Sequence, residues 1–577
     1  MASHYLGKPS WEKPIDPGDR ILMAGGRVGK DGIHGATFSS TEVDENSPRT
    51  AVQIGSPITQ KLLSDFMQRA CELGLIKCST DNGAGGLSSS VGELATISGG
   101  AVVQLDQVPL KYPGLMPWEI FVSEAQERMQ LVVEPHKLDA VMELAALFEV
   151  ELTDIGEFTD SGYLEVRYGE QVVAFLEHEF LHEGVPRKHM EAEWAAPELS
   201  EPQLPQPEEQ GVVLLKLLGA DDICSRERVI RQYDHEVKGK TIIKPLMGAA
   251  GVAPQDAAVM RLGFDSYDGV AVSCGILPRY GDIDAYAMSA GAFDEGVRQI
   301  VAVGGQLPDA SDPTNRFWTV NDNFCVPDSA YHPVHNPDGK YKLAQLVRMA
   351  EALYDMSTFF GIPMTSGKDS MKNDFRIEGT KISVPPTILY SMVARVPDVR
   401  RCVTAQFQSA GDVICLLGRT YDELGGSQYY KLHGQLGANV PRVRMAQAQE
   451  LYGLVSSAIQ EGLVASCHDL SDGGLAVALA ECCFGSGFGC EVEISVEKWG
   501  LSPTTLLYSE SHSRFVASVP AHKLQRFLEH MGGHCHVLGR ATLWPHMWVC
   551  SQGEPIIDLY IGHLLEAWQG GSVGGVA

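Results

Sequence analysis

The sequence is short of positive charge: 45 Lys and Arg stand against 73 Asp and Glu, a formal net charge of −28. That balance excludes a protein that tracks nucleic-acid phosphates over a broad basic surface. Any anionic ligand must be held locally, by backbone amides, a few cations or bridging metal ions. No stretch reaches the roughly 18 uninterrupted apolar residues of a membrane span, and the opening MASHYLGKPSWEKP lacks the apolar core of a signal peptide. The expected compartment is cytoplasmic, with neither membrane nor nucleic acid as partner. The 13 cysteines are an odd number without a CxxC pair, which argues against a disulfide framework. Their densest group, Cys482, Cys483 and Cys490 with His534, Cys535 and His536 further on, lacks the paired short loops of a zinc site. What the chain does have is length and an apolar fraction of 44% over 577 residues, enough for several buried cores.

The most Pro- and Glu-rich segment, EAEWAAPELSEPQLPQPEEQG, reads as a linker at 191–211 because it can bury little apolar surface. On either side three features recur in the same order, about 390 residues apart. PGDRILMAGGRVG from Pro17 is echoed by AGDVICLLGRTYDELGG from Ala410. KCSTDNGAGGLSSSVGELA from Lys77 is echoed by VASCHDLSDGGLAVALAECC from Val464. FVSEAQERMQLVVEPHKLDAVMELA from Phe121 is echoed by LYSESHSRFVASVPAHKLQRFLEHM from Leu507. One domain, B, therefore occurs twice around a different domain, A. The expected division is an amino-terminal segment 1–16, B at 17–190, the linker, A at 212–400, a second B at 401–567 and a flexible tail 568–577. Strands alternate with amphipathic helices, as where Leu138, Val141, Met142 and Leu144 follow the strand-like Met129–Val133, so the fold class is α/β (α+β).

Several motifs can carry chemistry. In TDNGAGGL, Asp81 ends an apolar strand and Gly83, Gly85 and Gly86 lead into a helix, where backbone amides can approach a phosphate and the carboxylate can hold magnesium. Equally, Asp81 can be a helix cap beside a tight turn. The pattern returns with Asp469, Ser471, Asp472, Gly473 and Gly474. Between the copies, Asp256 precedes an apolar run, Asp265 and Asp268 flank a turn, and Glu295 and Gln299 share a helical face at i, i+4, able to reach one ion or simply to face solvent. TSGKDSMKND lacks the first glycine of a P-loop, yet Gly367, Lys368 and Ser370 offer a backbone approach, a cation and a hydroxyl. SEAQERM, with Glu124, Gln126, Glu127 and Arg128, suits either recognition of a polar small molecule or an edge-strand ion-pair ladder. GGRVGKDGIHGATFSS, with Arg27, Lys30 and His34, can clamp a phosphate or serve as a connector.

Together these motifs resemble phosphoribosylformylglycinamidine synthase, the ATP-dependent amidotransferase of purine biosynthesis. PGDRILMAGGRVGKDGIHGATFSS, VQIGSP, TDNGAGGLSSS and SEAQERM look like its first B domain; DNFCVPD, SGKDSMKND and HDLSDGGL look like its second half. The resemblance runs from about Pro17 to Leu565 and implies aminoimidazole ribonucleotide synthetase-like domains in B-A-B order. By position, it implies that Gln53, Glu124, Ala125, Gln126 and Ser370 contact formylglycinamide ribonucleotide. Asp81 matches a magnesium ligand of the active nucleotide, and Gly367 and Lys368 match a loop closing on nucleotide. Asp256, Glu295, Asp469 and Ser471 match the metal and nucleotide contacts of a second, auxiliary ATP/ADP site. Gln299 stands where large-type members carry a metal-binding asparagine, and Val320 where small-type members carry an aspartate.

The family order is A-B-A-B, and its first A domain brings an ESHNHP-type motif with the catalytic histidine. Neither that motif nor a glutaminase is found in this sequence, so the resemblance assigns no catalytic residue here. It implies a carboxy-terminal fragment or a subunit, inactive alone, joined by a missing A domain and a glutaminase in cis or trans. The implied reaction uses ATP to phosphorylate the amide oxygen of formylglycinamide ribonucleotide, after which ammonia displaces phosphate. Two other readings stay open: a nucleotide-stabilised scaffold without catalysis, and a small-molecule kinase completed by homodimerisation.

Overall fold

A computed structural model describes residues 13–38, 55–207, 209–232, 236–309, 311–312, 317–377 and 380–570. They form two compact units, one made of residues up to Met190 with Met371–Ser383, the other of Glu191–Ser370 and Val384 onward. No helix among the described residues is long and apolar enough to cross a membrane.

The first unit holds seven strands: β1 (Arg20–Gly25), β2 (Cys78–Asp81), β3 (Ala101–Gln104), β4 (Arg128–Val133), β5 (Leu152–Phe158), β6 (Tyr163–Tyr168) and β7 (Gln171–Glu177). They form one sheet in the order β2-β4-β1-β5-β3-β6-β7. The run ILMA in β1 does not alternate in polarity because both faces of the sheet are covered. Ile21 and Met23 join one core with Leu87, Val91 and Leu94 of the helix Leu87–Ser98. Leu22 and Ala24 join another with Phe66 and Met67 of the helix Pro57–Glu72 and Val141 of the helix Leu138–Leu147.

The central part of the second unit contains β8 (Thr241–Ile243), a ribbon of β9 (Leu246–Met247) and β10 (Ala253–Pro254), then β11 (Ala258–Arg261), β12 (Gly269–Ile276), β13 (Trp318–Cys325) and β14 (Met364–Ser370). The next two strands, β15 (Asp374–Ile377) and β16 (Thr380–Ser383), form a two-stranded hairpin counted with the first unit. With β17 (Thr387–Val396) the large sheet runs β14-β13-β17-β12-β11-β8, antiparallel except for the parallel pair β13 and β14. The helix Ala285–Ala302 packs on β12 and β17. Its first turn is capped by Asp284, which accepts from Tyr286 N–H at 2.9 Å. Ala285, Ala287, Ala290, Gly291, Ala292 and Gly296 give it a thin profile, so nearly the whole helix is buried.

The last strands are β18 (Val413–Leu417), β19 (Ser466–Asp469), β20 (Gly489–Ile494), β21 (Phe515–Val519), β22 (Cys535–Thr542), β23 (His546–Ser551) and β24 (Glu554–Tyr560). Their order, β19-β21-β18-β22-β20-β23-β24, reproduces that of the first sheet strand for strand. Even the register irregularity recurs, between Ile21 and Leu22 in β1 and between Ile414 and Cys415 in β18. Cys482, Cys483 and Cys490 are packed in the apolar core beside this sheet. The described residues of the Pro- and Glu-rich segment have no regular structure up to the helix Gln210–Leu218, yet the segment is anchored. Glu201 accepts from Ala438 N–H at 2.7 Å and from Tyr430 OH at 2.9 Å, and Trp194 stacks on Tyr341.

Candidate functional site

In the first unit, β2 delivers Asp81 to the start of the glycine turn, where its side chain is exposed. The helix Leu87–Ser98 begins at Gly86 without any side-chain cap, so the capping reading of Asp81 does not hold. Gly85 and Gly86 have φ of 76° and 57°, a left-handed region that favours glycine. A Cβ on Gly86 would also collide with the Ser123 carbonyl, which explains why this turn needs glycine.

That carbonyl belongs to the SEAQERM segment, which the turn faces. Glu124 accepts from Gly85 N–H at 3.2 Å and from Ala36 N–H at 3.0 Å. Arg128 is no member of an edge ladder: β4 lies inside the sheet, and the buried guanidinium donates to the Ala125 carbonyl at 2.7 Å and to that of Ser123. Burial pushes Arg128 down to about 10. Ala125 is buried, and Gln126 Nε2 donates to the Glu124 carbonyl at 3.0 Å. Glu124, Ala125 and Gln126 are thus brought beside the glycine turn, whereas Gln53 lies outside the described residues.

The second unit repeats this framework. Gly473 and Gly474 have φ of 76° and 65°, and a Cβ on Gly474 would meet the Ser509 carbonyl. Glu510 accepts from Gly473 N–H at 2.8 Å, and Arg514 donates to the carbonyls of Ser511 and Ser509, each at 2.7 Å. The contents differ. Asp469 is buried and accepts from Arg298 Nε at 2.8 Å and from Ser471 OH at 2.7 Å. Arg298 also donates to Asp294 at 2.6 Å and to Ser471 at 2.8 Å. Burial works against the charge of Asp469, but Arg298 and His468 hold its carboxyl below the usual range.

Asp256, just after β10, completes a cluster in which atoms of Asp256, His468 and Asp469 lie within 4.8 Å of one another. Its carboxylate meets His468 Nδ1 at 2.6 Å and accepts from Asp469 N–H at 3.3 Å; His468 Nε2 meets Glu481 at 3.0 Å. Burial, with Asp469 adding to it, pushes Asp256 up to about 7. Glu295 accepts from Ile276 N–H at 3.1 Å and lies 3.5 Å from Gln299 Nε2, so the i, i+4 pair forms away from a freely solvated face. Burial, then Asp469 and Asp472, push Glu295 up to about 8 against the pull of Arg298. Gln299 turns its carbonyl oxygen to Cys274 N–H at 3.3 Å. Asp256 and Asp469, side by side in that cluster, offer hard oxygen donors of the kind magnesium takes, with both nitrogens of His468 already engaged by carboxylates. The donor set therefore fits that ion.

Gly367, Lys368 and Ser370 lie on β14 rather than in a loop, paired in parallel with β13. A Cβ on Gly367 would run into the Asp322 carboxylate, which accepts from Lys368 N–H at 3.2 Å. Val320 is buried in β13. The residues that sequence patterns did not single out are Asp294, Arg298, His468 and Glu510. For Glu510 and His468 the signal was present, since both lie inside repeated motifs. Nothing in the helix sequence FDEGVRQ marks Arg298 as the partner of an aspartate 171 residues away.

Comparison with known proteins gives these features a context. The family described as AIR synthase related protein, C-terminal domain, matches residues 16–169 and 409–545. The phosphoribosylformylglycinamidine synthase subunit PurL of Thermoplasma acidophilum is 30% identical over 564 residues, covering 97% of this chain and 71% of the relative. That of Alkaliphilus metalliredigens is 34% identical over 568 residues, covering 96% and 72%. In fold the chain is similar to Thermotoga maritima PurL, solved in complex with FGAR, with a TM-score of 0.64 at 22% identity over 92% of this chain and 72% of that one. With this coverage and the twofold family match, the chain belongs to the PurL family of phosphoribosylformylglycinamidine synthase subunits.

Proposed function

We propose that the chain works as part of an ATP-dependent C–N ligase of purine biosynthesis, which converts formylglycinamide ribonucleotide, with ATP and ammonia or glutamine, to the amidine once a further A domain and an ammonia source join it. The observation that carries this reading for the site is the convergence of Asp256, His468 and Asp469, whose side-chain atoms lie within 4.8 Å of one another, with Ser471 hydrogen-bonded to Asp469. Thermotoga maritima PurL has been solved with ATP and with ADP, which supports a nucleotide as the ligand.

In this reading Asp256, Glu295 and Asp469 hold magnesium, which neutralises phosphoryl charge when bound. The protein's own part is positioning. Arg298 and Ser471 both donate to the same oxygen, Oδ2, of the Asp469 carboxylate, while His468, clamped between Asp256 and Glu481, sets the direction of Asp256. Preset donors need little reorganisation when charge develops. In the first unit Asp81 takes the corresponding magnesium role. Glu124 holds the glycine turn open, and Gln126 with the neighbouring backbone contacts the formylglycinamide ribonucleotide, with Gln53 as a further contact. Lys368 and the Gly367 backbone contact nucleotide.

Equilibrium dialysis with radiolabelled ATP and magnesium tests this reading. The expected result is stoichiometric nucleotide, weakened at least about tenfold by Asp256→Asn and by Ser471→Ala, the second of which removes no charge. Nucleotide binding that neither substitution alters would overturn the assignment of the site.

A further inference from the structure

The two repeated sheets carry a cleft at the same place, and its charge is reversed between them. The Gly25 N–H donates to the Glu151 carbonyl, and the Gly418 N–H to the His534 carbonyl, each at 2.9 Å, which aligns Glu151 with His534. In the first unit the cleft is about 240 Å³ and is lined by Arg27, Glu149 and Glu151. There Arg27 is neutralised by Glu151 at 2.8 Å. In the second unit the cleft is about 480 Å³ and is lined by Arg419, Arg442, Arg444, Lys498, His534 and His536.

Among the described residues most of that positive charge has no carboxylate counterpart. Arg444 pairs with Glu423 at 2.8 Å and lies 3.5 Å over the Tyr421 ring. Among the described residues no carboxylate pairs with Arg419, Arg442 or Lys498; Lys498 instead meets the ring nitrogen of His536 at 2.8 Å. The acid lining the cleft, Glu450, faces His534 at 3.3 Å. His512, also on the wall, is 6% exposed, and its Nε2 has no hydrogen-bond partner among the described residues. Clustered cations repel one another, and in a protein of net charge −28 such a cluster is a local attractor for anions.

We propose that this cleft in the second repeated domain is a binding site for a small phosphate ester, separate from the Asp256 and Asp469 cluster, with Arg419, Arg442 and Lys498 receiving the phosphate. Three cations converge from three elements: the end of β18, the approach to the helix Met445–Gln460, and the short helix Val496–Trp499. Arginine forks match phosphate oxygens two at a time. The volume is that of a small-molecule site and exceeds what one phosphate fills, and Trp499 and Tyr421 supply aromatic wall for the rest of the ligand.

Isothermal titration of the full chain with ribose 5-phosphate, inorganic phosphate and ribose tests the proposal. Ribose 5-phosphate should bind, phosphate more weakly, and ribose not at all. Arg442→Ala and Lys498→Ala, both at exposed positions, should each weaken ribose 5-phosphate at least about tenfold, whereas Arg27→Ala in the first unit's cleft should leave it unchanged. Absence of binding by both phosphate compounds, or binding that Arg442→Ala and Lys498→Ala leave intact, would overturn the proposal. A loss caused by Arg27→Ala would do the same, because it would move the anion to the cleft of the first unit.

Discussion

The glycine turn after β2 and the one after β19 are built from the same parts and hold opposite contents. Each has two left-handed glycines, a serine carbonyl pressed against the second, a glutamate receiving the first glycine's N–H, and a buried arginine tying that segment down. In the first the aspartate at the strand end is exposed; in the second it is buried and clamped by Arg298. The shared parts are those that backbone geometry demands, and the contents are free to differ because side chains at the mouth of a turn do not decide whether the turn forms. A duplicated scaffold can therefore keep one copy open to solvent and preorganise the other.

The largest effect that separates the copies is expected from Arg298→Met. It strips two buried carboxylates, Asp469 and Asp294, of their counter-charge and should cost about 3–5 kcal/mol in urea denaturation. Asp81→Asn, at the exposed position, should stay within about 0.5 kcal/mol. Equal costs for these two would erase the distinction between an open and a clamped turn.

Next in size are Gly86→Ala and Gly474→Ala. Each forces a side chain into the left-handed region and against a carbonyl, and each should lose about 1–3 kcal/mol. Here the copies should behave alike. A large loss in one and none in the other would mean that the turns do not share a framework.

The smallest effect is on the acid side of stability. Burial, then Lys498 and His534, pull His536 down to about 4. The unfolded chain therefore takes up this proton first, so the stabilisation is present above about pH 6.5 and is lost as pH falls from there through 4. His536→Gln should flatten that limb of a denaturation midpoint against pH curve. An unaltered curve would assign the acid response to other groups.

Much of the fold was readable because it rests on local rules. The run ILMA, the turn glycines and the helix spacing of Leu138, Val141 and Met142 each follow from strand burial, left-handed φ or a 3.6-residue period, and all three motifs recur because both sheets need them. The α/β class followed directly. Less of the site was readable. TSGKDS reads as a loop, yet it forms β14, since pairing with β13 outweighs the local preference of Gly and Ser for turns. Arg128 reads as a surface charge, yet it donates to carbonyls in the interior, because the segment it fastens would otherwise leave those groups unpaired. The linker composition argued for a loose strap, while Glu201 and Trp194 pin it through contacts with residues far along the chain.

By itself the sequence determined the repeat, the layer class, the glycine turns and the family, because each depends on residue type and spacing along one short segment. Only the tertiary structure decided which carboxylates are clamped, which arginines among the described residues lack a carboxylate partner and where charge accumulates. Arg298 meets Asp469 across 171 residues, and the cleft of Arg419, Arg442 and Lys498 is assembled from three elements. Electrostatic energy depends on distance in space and on burial, and neither is written in the order of the residues.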